Sequence, residues 1–171
     1  MIKSCCALLL TASLLAAADI PVAYRVDDHV YRGPQPRVED FPVLAKMGIR
    51  TVLSLRGGRN RTPRERAVVE AAGMRYINIP LSGVLAPTYE QMSRILAVLQ
   101  DPKLAPVFVH CRRGDDRAGM VIACYRIVHD HWTKEQALAE ARGRGMSRFQ
   151  VLMRRYVEHF DPSRIHANGI E

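Results

Sequence analysis

Two adjacent segments limit the fold of this chain more than anything else in it. Residues 107–110 read Val-Phe-Val-His, a short apolar run after Pro106, and residues 116–128 are apolar nearly all the way round a helix. A strand apolar on both faces belongs inside a sheet covered on both sides, and a helix without a polar face belongs at the centre of a core. The seven residues that join them, Cys111 to Arg117, must then run from the carboxyl end of a buried strand to the amino end of a buried helix.

Around that unit, strand and helix signals alternate. Residues 24–26 and 29–32 read as short strands about an Asp27-Asp28 turn, broken by Gly33-Pro34-Gln35-Pro36. A helix is expected over 38–47 with Gly48 as its stop, a strand over 51–55, and a helix over 63–72 with proline at its start. A strand over 74–79 follows. Thr88-Tyr89-Glu90-Gln91 resembles a capping box that opens a helix to about residue 100. Two further helices are expected over 133–142 and 147–160, with residues 161–171 as a loose tail. The alternation implies βαβ units: one α/β domain over residues 19–171, with a core from about 24 to 160 and a mostly parallel sheet between helices.

In a parallel sheet, ligands bind where strands end and helices begin. A tight seven-residue loop there turns successive backbone N–H groups inward, and the helix adds free donors and the positive end of its dipole, forming an anion cradle. Gly114 supplies the left-handed conformation such a loop needs. Cys111 at its base is expected to be a reactive thiolate, because inward N–H groups favour the anion. Arg117 brings a planar fork suited to two oxygens of a phosphate, also in the transition state. His110 is expected to hold the loop and tune the thiolate. Arg112, Arg113, Gly114 and Asp115 complete the candidate binding loop, and no metal or cofactor is called for.

His110-Cys111, five intervening residues and Arg117 after a buried strand resemble the signature of cysteine-dependent protein tyrosine and dual-specificity phosphatases. The stretches Tyr31-Arg32-Gly33-Pro34-Gln35-Pro36 and Gly48-Ile49-Arg50-Thr51-Val52-Leu53-Ser54-Leu55-Arg56 are similar to the opening of the atypical, bacterial-type branch. The resemblance implies a phosphocysteine at Cys111 and a phosphate held by the 112–117 backbone and Arg117. It also exposes two departures. Where the family carries Ser or Thr after the arginine, this chain has Ala118, which implies slow hydrolysis of the intermediate. Where the family places an acidic residue on an earlier loop, residues 81–87 contain none. The candidates for that proton are Asp116 (its place resembles an aspartate of the myotubularin phosphoinositide phosphatases), Asp115 and Glu90. Each has a plainer reading, as a helix cap or a first-turn charge.

A weak acid favours good leaving groups, and phenolate, with a pKa near 10, leaves far more easily than an alkoxide. The expected substrate is therefore a phosphorylated protein or small phosphate ester, foremost phosphotyrosine. Arg112 and Arg113 keep open a phosphoinositide or inositol phosphate. A rhodanese-like sulfurtransferase and a non-catalytic phosphate-binding module are the readings from other classes.

The formal charge of +8 and four cysteines take their meaning from chain order. Lys3, a 14-residue apolar or small run from Cys5 to Ala18, and Ala16-Ala17-Ala18 are the parts of a secretory signal peptide, too short to span a bilayer. Residues 1–18 are expected to be removed on export to the periplasm or beyond. Cleavage there leaves 24 basic against 17 acidic residues, or +7, and only Cys111 and Cys124. No disulfide framework is then available, and Cys124 is expected in the core. Arg142, Arg144, Arg148, Arg154 and Arg155 lack the aromatic interleaving of a nucleic-acid surface and read as solvated helix faces. Arg56 is a possible pocket residue, and His129 and His131 read as a helix-end turn.

Overall fold

The computed structural model describes residues 23–58 and 61–165. The expected export segment, residues 1–18, lies outside them. A five-stranded sheet runs in the order β1-β2-β5-β3-β4, with β1 Tyr24–Arg25, β2 Val30–Gly33, β3 Thr51–Ser54, β4 Arg75–Asn78 and β5 Val107–His110. Only β1 is antiparallel to its neighbour; β2, β5, β3 and β4 are mutually parallel. The apolar run at 107–110 is the central strand, fully buried between β2 and β3.

Side-chain alternation along β5 divides the core in two. Val107 and Val109 join Leu53, Leu55 and the apolar faces of α3 (Tyr89–Gln100), α4 (Asp116–His129), α5 (Lys134–Gly143) and α6 (Val151–Glu158) in the larger cluster. Phe108 points the other way, into a smaller cluster with Val52, Tyr76, Phe41 and Leu44 of α1 (Phe41–Lys46), and Val69 of α2 (Arg61–Ala71). His110 follows Phe108 in the alternation and stacks on it, ring centroids 5.7 Å apart. The strand pattern therefore aims His110 at α2. Helix α4 is buried nearly all round, as its composition requires.

Several element boundaries differ from expectation for identifiable reasons. The segment 38–47 divides into a 3₁₀ turn, Val38–Asp40, and the short α1. Helix α2 starts at Arg61, so Pro63 falls at the third helical position, where its missing N–H still removes no intrahelical bond. The expected helix over 147–160 forms only from Val151 to Glu158. Residues 147–150 form a turn instead, in which Gln150 N–H donates to the Ser147 carbonyl and Phe149 N–H to the Ser147 hydroxyl, while Ser147 N–H donates to Asp116. The start of the expected loose tail is ordered. Asp161 caps the turn Pro162–Arg164, its N–H donates to the Tyr89 hydroxyl, and Arg164 lies 3.8 Å from the Tyr89 ring centre. Among the described residues no helix is long and apolar enough to cross a membrane.

Arg126 fastens α4 to its surroundings. Its guanidinium meets Asp130 at 2.6 Å and Glu140 of α5 at 3.0 Å, donates to the Val26 carbonyl at 3.0 Å, and lies 4.7 Å from the Trp132 ring centre. Removing one member of such a half-buried network strands the others. Arg126→Ala is expected to lower stability by about 3 kcal/mol, read as a shifted urea midpoint with an unchanged slope.

Candidate active site

Where β5 ends, the chain turns through Cys111–Arg117 and enters α4. Cys111 is a free thiol, 2% exposed, at the base of the turn, and its Sγ accepts the Gly114 N–H at 3.3 Å. Gly114 has φ +83°. A Cβ at this position would lie 2.5 Å from the Gly33 carbonyl carbon and 2.6 Å from the Pro34 nitrogen. Both the backbone angle and the absence of a side chain are needed to pack this loop against the end of β2.

Two neighbours outside the loop, and its own last residue reaching outward, hold it. Arg32 of β2, almost fully buried, donates to the Gly114 carbonyl at 2.8 Å. Gln35 donates its backbone N–H to the Arg112 carbonyl at 3.3 Å. Arg117 reaches back across the sheet end, and its Nη1 donates to the Leu55 carbonyl at 3.3 Å and the Leu81 carbonyl at 3.4 Å. Its guanidinium is thereby held beside the turn that encloses Cys111, where it can meet an anion bound by the loop.

A further support runs from His110, which the sequence marks, to a carboxylate of α2, which it does not. His110 Nδ1 lies 3.3 Å from the Cys111 carbonyl, and Nε2 lies 2.9 Å from Glu65 Oε1 of α2, an ion-pair contact rather than a well-aligned hydrogen bond. Glu65 also accepts from the Gln35 amide at 2.6 Å, the Ser54 hydroxyl at 3.1 Å and the Tyr76 hydroxyl at 3.0 Å. Burial pushes the Glu65 carboxyl up, but the close contact and charge of His110, with the Gln35 and Tyr76 bonds, outweigh it and hold the group at about 2. Burial, then the same carboxylate, pushes Tyr76 up to about 12. One carboxylate thus joins the ends of β3 and β5, the middle of β4 and the loop after β2. Arg32 had a readable signal, a lone charge in a short strand, whereas Glu65 lies between Arg64 and Arg66 on a polar helix.

The loop carboxylates have other partners than those expected. Asp116 makes no helix cap: Oδ1 accepts the Ser147 N–H at 2.9 Å and Oδ2 pairs with Arg113 at 2.5 Å. It ties the loop to the segment before α6. Arg113 faces Asp116 and, at 3.7 Å, Asp115, so its charge is answered by the protein rather than left for a ligand. Asp115 precedes α4 without a side-chain cap bond. Burial pushes its carboxyl up against the opposing pull of Arg113, and its side chain packs at Gly145. Arg112 is exposed, and Glu90 sits exposed in the first turn of α3.

Arg56 does belong to this end of the sheet. It donates to the Gln35 side chain. Burial, then the charges of Arg61, Arg117 and Arg112, pull its pKa down, the mark of several guanidiniums crowded at one mouth. Cys124 is wholly buried in α4, and burial pushes its thiol up. Among the described residues no group of His, Cys, Asp and Glu could hold a metal ion. A cysteine over an inward amide, an arginine beside it and an electropositive mouth can bind a dianion and attack it.

A sequence model for the family described as "DSP-PTPase phosphatase fused to NAD+ Kinase" matches residues 17–159. The dual specificity protein phosphatase TpbA of Pseudomonas aeruginosa is 28% identical over 122 residues, 71% of this chain and 54% of its own length. The chain therefore spans about half the length of that curated relative. An inositol diphosphatase of Arabidopsis thaliana, DSP3, is 26% identical over 141 residues, 80% of this chain and 68% of its own length. The crystal structure of P. aeruginosa TpbA in complex with pTyr superposes with a TM-score of 0.73 at 27% identity, covering 86% of this chain and 91% of that one.

Glu65→Gln keeps the size of the side chain and removes its charge. Because the folded carboxyl sits at about 2 against an ordinary 4.5, its ionisation stabilises the fold above about pH 4.5. That contribution, about 3 kcal/mol, disappears as pH falls toward 2. The stability gap between wild type and variant, followed by urea unfolding, is expected to be full at pH 7 and to close over that window.

Proposed function

We propose, from the premise that the chain belongs to the DSP-PTPase phosphatase family, that it hydrolyses phosphate monoesters through a phosphocysteine, with phosphotyrosine as the preferred class. The observation that carries this reading is Cys111 Sγ within a buried loop whose amide at Gly114 points at the sulfur, with Arg117 anchored alongside.

The phosphoryl group binds over Cys111 against the loop amides, with Arg117 on its equatorial oxygens. The Cys111 thiolate attacks phosphorus, an S–P bond forms, and the P–O bond to the leaving group breaks with its electron pair going to oxygen. Water then attacks phosphorus, the S–P bond breaks, and inorganic phosphate and the thiolate are released. Loop amides and Arg117 stabilise charge in both steps.

The identity of the leaving group follows from what the loop lacks. Asp116 is engaged by Arg113 and Ser147, and residues 81–87 carry no acid. A phenolate leaves without a full proton donor, whereas an alkoxide depends on one. That supports aryl esters over phosphoserine, with Asp115, its carboxyl raised by burial, as the proton source within the loop. TpbA, crystallised with pTyr, supports the same class. The inositol diphosphatase relatives and the crowded arginines support inositol phosphates as a second substrate class.

Ala118 offers no hydroxyl to the departing thiolate, so breakdown of the phosphocysteine limits turnover. Rapid-quench kinetics with p-nitrophenyl phosphate is expected to show a burst near one equivalent per enzyme, followed by slower turnover that chelator does not change. Cys111→Ser is expected to abolish the burst and lower the rate at least about a thousandfold. Unchanged hydrolysis by Cys111→Ser would overturn the assignment.

We further propose that residues 1–18 direct export and are removed. The support is the charge and apolar pattern alone. N-terminal sequencing of protein from the periplasm or medium is expected to start at Asp19, and an intact Met1 on exported protein would contradict it.

A further inference from the structure

The four most exposed large apolar side chains among the described residues are Phe149 at 78%, Val84 at 67%, Val38 at 65% and Leu85 at 61%. They come from three loops distant in sequence, and each loop is hydrogen-bonded to the cysteine turn or its arginine. Val38 lies three residues beyond Gln35, whose N–H donates to the Arg112 carbonyl. Val84 and Leu85 lie three and four residues beyond Leu81, whose carbonyl accepts from Arg117. Phe149 lies two residues beyond Ser147, whose N–H donates to Asp116. At about 3.5 Å of reach per residue, each is within about 7–14 Å of its anchor on the site. The Gln150 side chain donates to the Gly83 carbonyl at 3.2 Å and joins two of the loops directly.

Single apolar side chains on a surface need no explanation, but a set of them around a catalytic mouth marks an interaction site. The chemistry of the mouth narrows the occupant. Its centre is cationic, with Arg61, Arg112 and Arg117 each near enough to act on the charge of Arg56, and it calls for a dianion. Its rim is apolar. A soluble inositol phosphate would satisfy the centre and leave the rim in water. An anionic bilayer laid over the rim would meet the acidic Glu39 and Asp40 beside Val38. A protein segment carrying phosphotyrosine supplies both the dianion and neighbouring side chains that can cover the rim.

We propose that Val38, Val84, Leu85 and Phe149 form a docking rim for apolar side chains flanking phosphotyrosine in a protein substrate. The inference rests on the phosphatase reading and extends it from the phosphoryl group to the sequence around it. Phe149 is suited to this task because it is the most exposed of the four, with the Arg148 guanidinium 4.9 Å from its ring centre.

The test compares kcat/KM for two phosphotyrosyl peptides, one with Leu and Phe at the positions flanking phosphotyrosine and one with Ser and Gly. p-Nitrophenyl phosphate serves as a reference that does not reach the rim. Wild type is expected to prefer the apolar peptide about tenfold. Phe149→Ser and Leu85→Ser, both at exposed positions, are each expected to cut that preference at least about threefold while keeping p-nitrophenyl phosphate within about twofold. Equal rates on the two peptides, or a preference that survives both substitutions, would overturn the proposal. So would loss of binding to phosphatidylserine vesicles in the variants with the peptide preference intact, which would assign the rim to a membrane. If wild type fails on p-nitrophenyl phosphate as well, it is the phosphatase reading that falls.

Discussion

A loop that turns its amides inward has few outward bonds of its own, so its shape depends on what it rests against. Here it rests on two buried charges. Arg32 holds the Gly114 carbonyl from β2, and Glu65 holds His110 from α2 while gathering Gln35, Ser54 and Tyr76. Both are costly groups to bury, and both are fully used: a charge of this kind is tolerated when several directed bonds replace its water. The consequence is a cysteine turn whose shape is set by the protein's own bonds, which is what electrostatic stabilisation of a transition state would require of it.

The rest of the architecture serves that arrangement. Parallel strands bring the ends of β2, β3 and β5 to one edge, and the alternation along β5 sends Phe108 and His110 toward α2 while Val109 packs under α4. Gly114 closes the contact with Gly33 and Pro34, where any side chain would collide with backbone. Asp116 and Ser147 then carry the fixed geometry outward to the loop that bears Phe149.

The parts of this that were legible in the sequence are those set by local pattern. An all-apolar strand, an all-apolar helix and seven residues between them located the central βα unit and its cysteine, and Thr88 opens α3 with the capping bonds its spacing implies. What was not legible depends on contacts between distant segments. Asp116 and Arg113 read as an acid and an anion ligand because their neighbours in sequence are the loop; their partners in space are each other and Ser147. Glu65 looked like one of several charges on a polar helix, and nothing local distinguishes it from Glu70, which makes an ordinary exposed pair with Arg66.

The account turns on a covalent bond between phosphorus and Cys111 Sγ, and that bond can be observed. Acid quenching during steady turnover of an aryl phosphate, followed by digestion and mass spectrometry, is predicted to find phosphate on the peptide that contains Cys111 and on no other. Turnover without that adduct, or with phosphate on a different side chain, would contradict it.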